Sequence, residues 1–414
     1  MKYQVENKKN LLTDLCLSIK RFDKTHWIIT TPQGKNILLN ERASNLLIIL
    51  INSDSFEDAI SRIQKKLQLQ LTKQELEALI QNTFKGYGIL QGEEITPNTQ
   101  SSYLSLKVPV LNAKIAGFLA SPIKFIFQPS IFWSLFIFTF LLNLVTAIYY
   151  FYLGLLTTST TNIKLFTLLL GFSMLVHELG HIAACRKFGI QHGAIGFGFY
   201  FIFPVVYADI TQVWTATKSQ RIIANAGGIY LELIYGSVLF LIFFITKDFT
   251  FLLSTVAVFL KAITELNPFI RYDGYWLLSD ISNTPNLMKK SNEALRNFFS
   301  VKNQKINFRN LPSLRWNVSK RDSLLLSYSL ANTSLLLSYI IYVLINFHKE
   351  LIYFPQLLLS LIQKAIGLKL SFADFPYGFL WMFGLYILVF RIATQLIGKQ
   401  MKKILVRFSH QRLD

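Results

Sequence analysis

The chain has 414 residues, long enough for two or three domains. Hydrophobic residues make up 52% of it and charged residues only 16%, with 36 phenylalanines; a soluble chain carries about a quarter charged residues, so a wholly water-soluble protein is excluded. The net charge of +19 is read as the Lys and Arg excess of cytoplasmic loops and not as a nucleic-acid footprint, and two cysteines with no CxxC pair exclude a disulfide framework.

Met1 to Asn10 is polar and no short apolar core follows, so no cleavable signal peptide is expected. Ser18–Thr31 alternates as a strand pair does and ends at the turn signal Thr31-Pro32-Gln33-Gly34. Three short helices follow. The first opens at Asn40-Glu41-Arg42-Ala43 and runs apolar from Leu46 to Ile51. The second, after Ser55, puts Phe56, Ile60 and Ile63 on one face, and the third starts at the capping-box spacing Thr72…Glu75. Residues 1–92 therefore read as a small cytoplasmic α/β domain of winged-helix-like build. Leu38-Leu39-Asn40-Glu41-Arg42-Ala43 and the closing Gly86-Tyr87-Gly88-Ile89-Leu90 resemble the PqqD-like family, which implies a domain that holds the leader of a ribosomally made peptide. A generic winged-helix cap is the alternative.

Residues 93–103 form a polar linker. From Leu104 to Pro129, apolar residues mix with Lys107, Lys114 and Lys124, as in a segment lying in the membrane interface. A spanning helix needs roughly 20 mostly apolar residues. Six stretches qualify: 131–154, 164–185, 219–246, 249–271, 323–347 and 375–397. Ile352–Leu370 is broken by Pro355 and Lys364 and reads as re-entrant or interfacial. With the N-terminus inside, segments 1–129, 186–221, 271–321 and 391–414 are cytoplasmic and hold 36 of the 42 Lys and Arg. That asymmetry favours a multi-pass protein of a bacterial cytoplasmic membrane with both termini on the cytoplasmic side. The expected organisation is a membrane core over 130–285, a cytoplasmic loop over 286–322 and C-terminal helices with a basic tail over 323–414.

His177-Glu178-Leu179-Gly180-His181 is an H-E-x-x-H motif inside the second stretch. Residues i and i+4 share a helix face, so both imidazoles can reach one zinc, and the glutamate is placed as a base for the metal's water. Ionisable groups in a span cost about 2.5–3.5 kcal/mol each on insertion scales, so they are rarely idle. A catalytic zinc takes a third protein ligand. The second and fourth stretches run in the same direction. At the cytoplasmic end of the fourth stand Asn267-Pro268 and Asp273-Gly274, where Pro268 breaks the helix and Gly274 frees the backbone so that Asp273 can turn inward.

These residues, with Pro204…Tyr207-Ala208-Asp209, Trp214, Asn225-Ala226-Gly227-Gly228, Glu232 and Tyr275-Trp276, resemble the site-2 protease superfamily of intramembrane zinc proteases. The bacterial group described as peptide zinc metalloproteases is the most similar. The resemblance covers about 105–285 and implies zinc on His177, His181 and Asp273, Glu178 as catalytic base and Asn267 as donor to the tetrahedral oxyanion. Better-known members place proline after the glycine where this chain has Gly227-Gly228, which puts the local helix shape in doubt.

Ala194–Tyr207 reads either as a membrane-inserted β-hairpin whose edge receives a substrate strand or as an aromatic interfacial loop. Glu232 is taken as a structural acid and Cys185 as a buried thiol, and His26, His192, His348 and His410 carry no ligand spacing. The expected function is hydrolysis of a peptide bond in a ribosomally made precursor, with the bilayer, a peptide-modifying enzyme and an exporter as partners. The alternatives are cleavage of a membrane-bound regulator, a non-catalytic receptor, immunity or export protein, and a metal transporter.

Overall fold

The computed structural model describes residues 18–22, 26–30, 36–53, 55–84, 104–152, 161–200, 203–303, 320–367, 374–376, 378–379, 381–390 and 393–394. The chain divides into two units, Met1–Pro285 and Asn286–Asp414. The described residues are mostly helical.

The first unit begins with an antiparallel sheet of three strands, not the expected pair: β1 (Ser18–Arg21), β2 (His26–Thr30) and β3 (Asn36–Asn40), in that spatial order. Three helices follow: α1 (Glu41–Ile51), α2 (Phe56–Leu67) and α3 (Lys73–Phe84). Their starts are fixed locally. Asn40 Oδ1 accepts from the Ala43 N–H at 2.8 Å, and Ser55 Oγ accepts from the Asp58 N–H at 3.1 Å. At Thr72 the capping box closes both ways, with Glu75 Oε2 accepting from the Thr72 N–H at 2.8 Å. Ile29, Leu47, Leu50, Ile63, Leu76 and Phe84 interlock as the core. The turn at 31–34, the glycine-rich stretch at 86–90 and the linker over 93–103 lie outside the described residues.

The expected interfacial segment contains a strand. β4 (Leu104–Leu111) leads into helix α4 (Ala113–Ala120). β4 pairs antiparallel with β5 (Ile195–Tyr200), and β5 with β6 (Phe203–Ala208), giving the order β4-β5-β6 with β6 at an edge. The aromatic segment after the second stretch is therefore a hairpin, completed by a third strand from far upstream.

Four long helices build the apolar body of this unit: α5 (Pro129–Tyr152), α6 (Ile163–Lys187), α7 (Lys218–Thr246) and α8 (Phe249–Glu265). Ile137, Phe138, Leu141, Val145 and Ile148 of α5 are exposed, the mark of a lipid-facing wall. Inside, Asn143 Nδ2 donates to the Leu233 carbonyl and to Ser237 Oγ, both at 3.0 Å, fastening α5 to α7. Small residues let α6 and α7 touch, since a Cβ on Gly180 would lie 2.2 Å from the Gly227 carbonyl oxygen. α7 runs unbroken through Gly227-Gly228 from Lys218 to Thr246, which settles the helix shape that the absent proline left in doubt. α8 ends at Glu265, short of Pro268, and the chain turns into α9 (Asp273–Ile281).

The second unit holds α10 (Leu287–Asn303), a helix where a loop was expected, and α11 (Lys320–Ile366). α11 is kinked at Phe347 (φ −132°, ψ 20°) and runs on past Pro355. Pro355 has no N–H for the Leu351 carbonyl, and Tyr386 Oη donates to that oxygen instead, at 2.7 Å. The kink falls where the expected span 323–347 ends, and Pro355 does not interrupt the helix.

Among the described residues, four helices are long and apolar enough to cross a membrane: α5, α6, α7 and Asp322–Ile366 within α11. The expected fourth stretch is the 17-residue α8, and the expected last one appears as the helix Trp381–Phe390. The chain is a multi-pass membrane protein.

Candidate metal centre

α6 delivers His177, Glu178 and His181 one turn apart, all buried. Asp273 arrives as the first residue of α9, where the free N–H groups of the helix start favour a carboxylate. The chain reaches it by a turn after α8 in which Asn267 Oδ1 accepts from the Phe269 N–H at 2.9 Å. Gly274 does not serve there as a left-handed hinge, since its φ is not positive. It provides space: a Cβ at that position would lie 2.1 Å from the Leu266 carbonyl oxygen.

Three acceptor atoms converge. His177 Nε2 and His181 Nε2 are 3.2 Å apart, and Asp273 Oδ2 stands 3.0 Å from the first and 3.1 Å from the second. The tautomers follow from the far side of each ring. His181 Nδ1 donates to the Ala224 carbonyl at 2.8 Å, and His177 Nδ1 faces Glu232 Oε2 at 3.3 Å, so both Nε2 atoms carry lone pairs towards Asp273. Asp273 Oδ2 is buried and has no hydrogen-bond partner. Three facing acceptors repel one another unless a cation stands between them. Ligands about 2.0–2.1 Å from a tetrahedral ion lie about 3.3 Å from one another, close to the separations found here. The residues present fit zinc.

The centre opens onto a cavity of about 490 Å³. Glu178 lines it, with Val205–Ala208 of edge strand β6 on one wall and Asn225, Arg271 and Trp276 on others. Asn267 is not among the lining residues, so the structure does not bring it together with the other four. Cys185 is buried in the apolar core beside Ala184 and Ile223, and His192 packs against Gly117. Neither joins a metal-ligand group among the described residues, nor do His26 and His348; His410 lies outside them.

A second polar layer was not read from the sequence. Lys261 and Glu265 of α8 lie one turn apart, and Lys261 Nζ touches Glu265 Oε1 and Glu232 Oε1, each at 2.7 Å. Their i,i+4 spacing within an apolar run was the available signal.

A third polar set ties the N-terminal domain to the membrane body. Arg221, at the start of α7, is buried; its Nε donates to Asp280 Oδ1 at 2.6 Å and its guanidinium lies 4.1 Å from the centre of the Phe22 ring. Phe22 also meets Trp214 at 6.0 Å, and Trp214 meets Trp276 of the cavity wall at 6.1 Å. Burial pushes the Asp280 carboxyl up, and Arg221 only partly draws it back.

The model of the family described as "Peptidase family M50" matches residues 165–373, about half of the chain. The "Putative peptide zinc metalloprotease protein YydH" of Bacillus subtilis (strain 168) is 29% identical over 112 residues. That alignment covers 26% of this chain and 43% of the relative. No solved structure matches.

Proposed function

The chain belongs to peptidase family M50, the site-2 protease family of membrane zinc metalloproteases, and we propose that it hydrolyses a peptide bond in a small ribosomally made precursor peptide, before export. The observation that carries the hydrolytic part is the convergence of His177 Nε2, His181 Nε2 and Asp273 Oδ2 within 3.2 Å, beside a buried glutamate on a cavity wall.

In this reading His177, His181 and Asp273 hold zinc. When bound, zinc supplies Lewis acidity that brings a coordinated water towards a neutral pKa. Glu178 takes a proton from the attacking water as the water oxygen adds to the scissile carbonyl carbon. It then gives that proton to the leaving amine nitrogen as the C–N bond breaks. The substrate lies extended along edge strand β6, whose Val205–Ala208 stretch lines the cavity, and main-chain pairing holds it. Asn267 steadies the oxyanion if its side chain leaves the Phe269 N–H on substrate binding.

The precursor assignment rests on the N-terminal domain, residues 1–92, read as a PqqD-like leader holder, and on the likeness to a relative whose printed name includes "peptide zinc metalloprotease". Arg221 and Phe22 keep that domain beside the site. Six crossings, with both termini in the cytoplasm, put the zinc near the cytoplasmic face. α8 is the short fourth crossing, and the helix Trp381–Phe390 supplies part of the sixth, expected over 375–397. A modifying enzyme and an exporter complete the expected partners.

The test is co-expression of a peptide encoded beside this protein with wild type or Glu178→Gln, read by mass spectrometry. The wild type should yield the cleaved product and the variant only intact precursor, with zinc content unchanged. Equal processing by the variant sinks the mechanism.

A further inference from the structure

His177 and His181 are treated differently on their far sides. His181 Nδ1 meets a neutral carbonyl, that of Ala224. His177 Nδ1 meets two carboxylates: Glu232 Oε2 at 3.3 Å, along its N–H direction, and Glu265 Oε2 at 3.0 Å, off that direction and without a hydrogen-bond partner. Glu232 is wholly inaccessible, and Glu265 is partly buried, its side chain 18% exposed with Oε2 inside. Two buried carboxylates on one imidazole would repel strongly in an apolar body. Lys261 answers this. Its ammonium bridges Glu232 Oε1 and Glu265 Oε1 at 2.7 Å each, so the inner oxygens are drawn to Lys261 and the outer ones are presented to His177.

Building on the zinc-site reading above, we propose that Glu232, Lys261 and Glu265 are positioning residues that hold His177 with its Nδ1 protonated and its Nε2 turned to the metal. Glu232 is the acceptor that fixes the tautomer and ring plane. Glu265 adds negative charge beside the ring, and Lys261 sets the spacing of both carboxylates. A carboxylate behind a ligating histidine raises the basicity of the ligand nitrogen, and loss of such a partner costs 10–100-fold in metal affinity as an order of magnitude. His177 becomes the stronger of the two nitrogen donors.

His177, Glu232 and Glu265 are also close enough to hold an ion by themselves. Lys261 already neutralises both carboxylates through their Oε1 atoms at 2.7 Å each, so the cluster is read as support for the metal centre and not as a second one.

The experiment uses the purified full chain, with zinc affinity measured by chelator competition and the visible spectrum recorded with cobalt in place of zinc. Wild type should bind one zinc. Glu232→Gln should bind zinc 10–100-fold more weakly and shift the cobalt bands, while the melting temperature of the zinc-free protein stays near that of wild type. Lys261→Met should weaken zinc binding as well and, because it strands two carboxylates, lower the melting temperature of the zinc-free protein. Lys261→Arg should recover most of the affinity. Wild-type affinity and spectrum in both variants would overturn the proposal, as would two zincs in the wild type, or an affinity loss in Glu232→Gln that tracks loss of zinc-free stability. A wild type that binds no zinc overturns the metalloprotease reading itself, a separate result.

Discussion

Gly228 faces His177 across the α6–α7 crossing so closely that a Cβ built on the glycine would stand 2.5 Å from His177 Nε2, and equally close to His181 Nε2. Inside a helix, alanine normally outranks glycine by about 1 kcal/mol. Helix propensity thus predicts that Gly228→Ala stabilises α7, whereas the site predicts a methyl group in the space the ligand nitrogens require. Gly228→Ala is expected to weaken zinc binding about tenfold or more. Gly171→Ala is the control, because nothing lies within 4 Å of a Cβ there. Titrating both variants with zinc checks this; unchanged affinity in Gly228→Ala would mean that the imidazoles can move aside without cost.

Removing the metal should expose the repulsion among its ligands. Asp273 Oδ2 and the two Nε2 atoms sit within 3.2 Å with only a cation to reconcile them. Zinc at 100 times its dissociation constant adds about 2.7 kcal/mol to stability by mass action. Chelation is therefore expected to lower the melting temperature of the wild type, and added zinc to raise it in a concentration-dependent way. Asp273→Asn keeps the shape but removes the charge, so its melting temperature should be nearly insensitive to zinc. A zinc-dependent shift as large in the variant as in the wild type would exclude Asp273 from the ligand set.

How much of this was readable in the residues depends on the range of the interaction. His177 and His181 converge because four residues make just over one helical turn, a purely local fact. Asp273 required the direction of two helices, which the distribution of Lys and Arg supplied. The Glu232–Lys261–Glu265 layer was not readable, since it depends on how α7 and α8 are rotated against each other. β4 was missed although Leu104, Leu106, Val108 and Val110 alternate with Ser105, Lys107 and Pro109: a proline inside the run argues against a strand, and the partner β5 lies far along the chain. The break expected at Pro355 is absent because Tyr386 takes up the carbonyl that the proline leaves without an N–H, whereas the kink at Phe347 falls where the expected span 323–347 ends.

Arg221 and Asp280 form a buried pair at 2.6 Å, joined by Asn225 Nδ2 on Asp280 Oδ2 at 2.7 Å. Removing one member of such a pair strands the other and costs about 3–5 kcal/mol, whereas replacing both with apolar groups is often neutral. Arg221→Met should accordingly destabilise the protein, and adding Asp280→Leu should restore most of the loss. The pH dependence has a definite sign. Burial raises the Asp280 carboxyl in the folded state, so its favourable contribution is complete below the ordinary aspartate pKa and is lost as pH rises through the raised value. Asp280→Asn should flatten the fall in stability across that window. An unchanged slope in the variant would assign the pH dependence to another group.

Phe22 tests whether the N-terminal domain works with the site or merely sits beside it. Its ring is held by the Arg221 guanidinium at 4.1 Å and by Trp214 at 6.0 Å, and Trp214 touches Trp276 of the cavity wall. A desolvated cation–π contact contributes about 2 kcal/mol. If the domain holds the leader of the precursor, this contact raises the local concentration of the cleavage site, and such tethering acts on binding and not on the chemical step. Phe22→Ala is then expected to raise KM for the full precursor with kcat nearly unchanged, and to leave both values alone for a peptide lacking its leader. Steady-state kinetics on the two substrates decide it. An equal effect on both peptides would mean that Phe22 shapes the cavity through Trp214 and Trp276, and that leader binding does not pass through this contact.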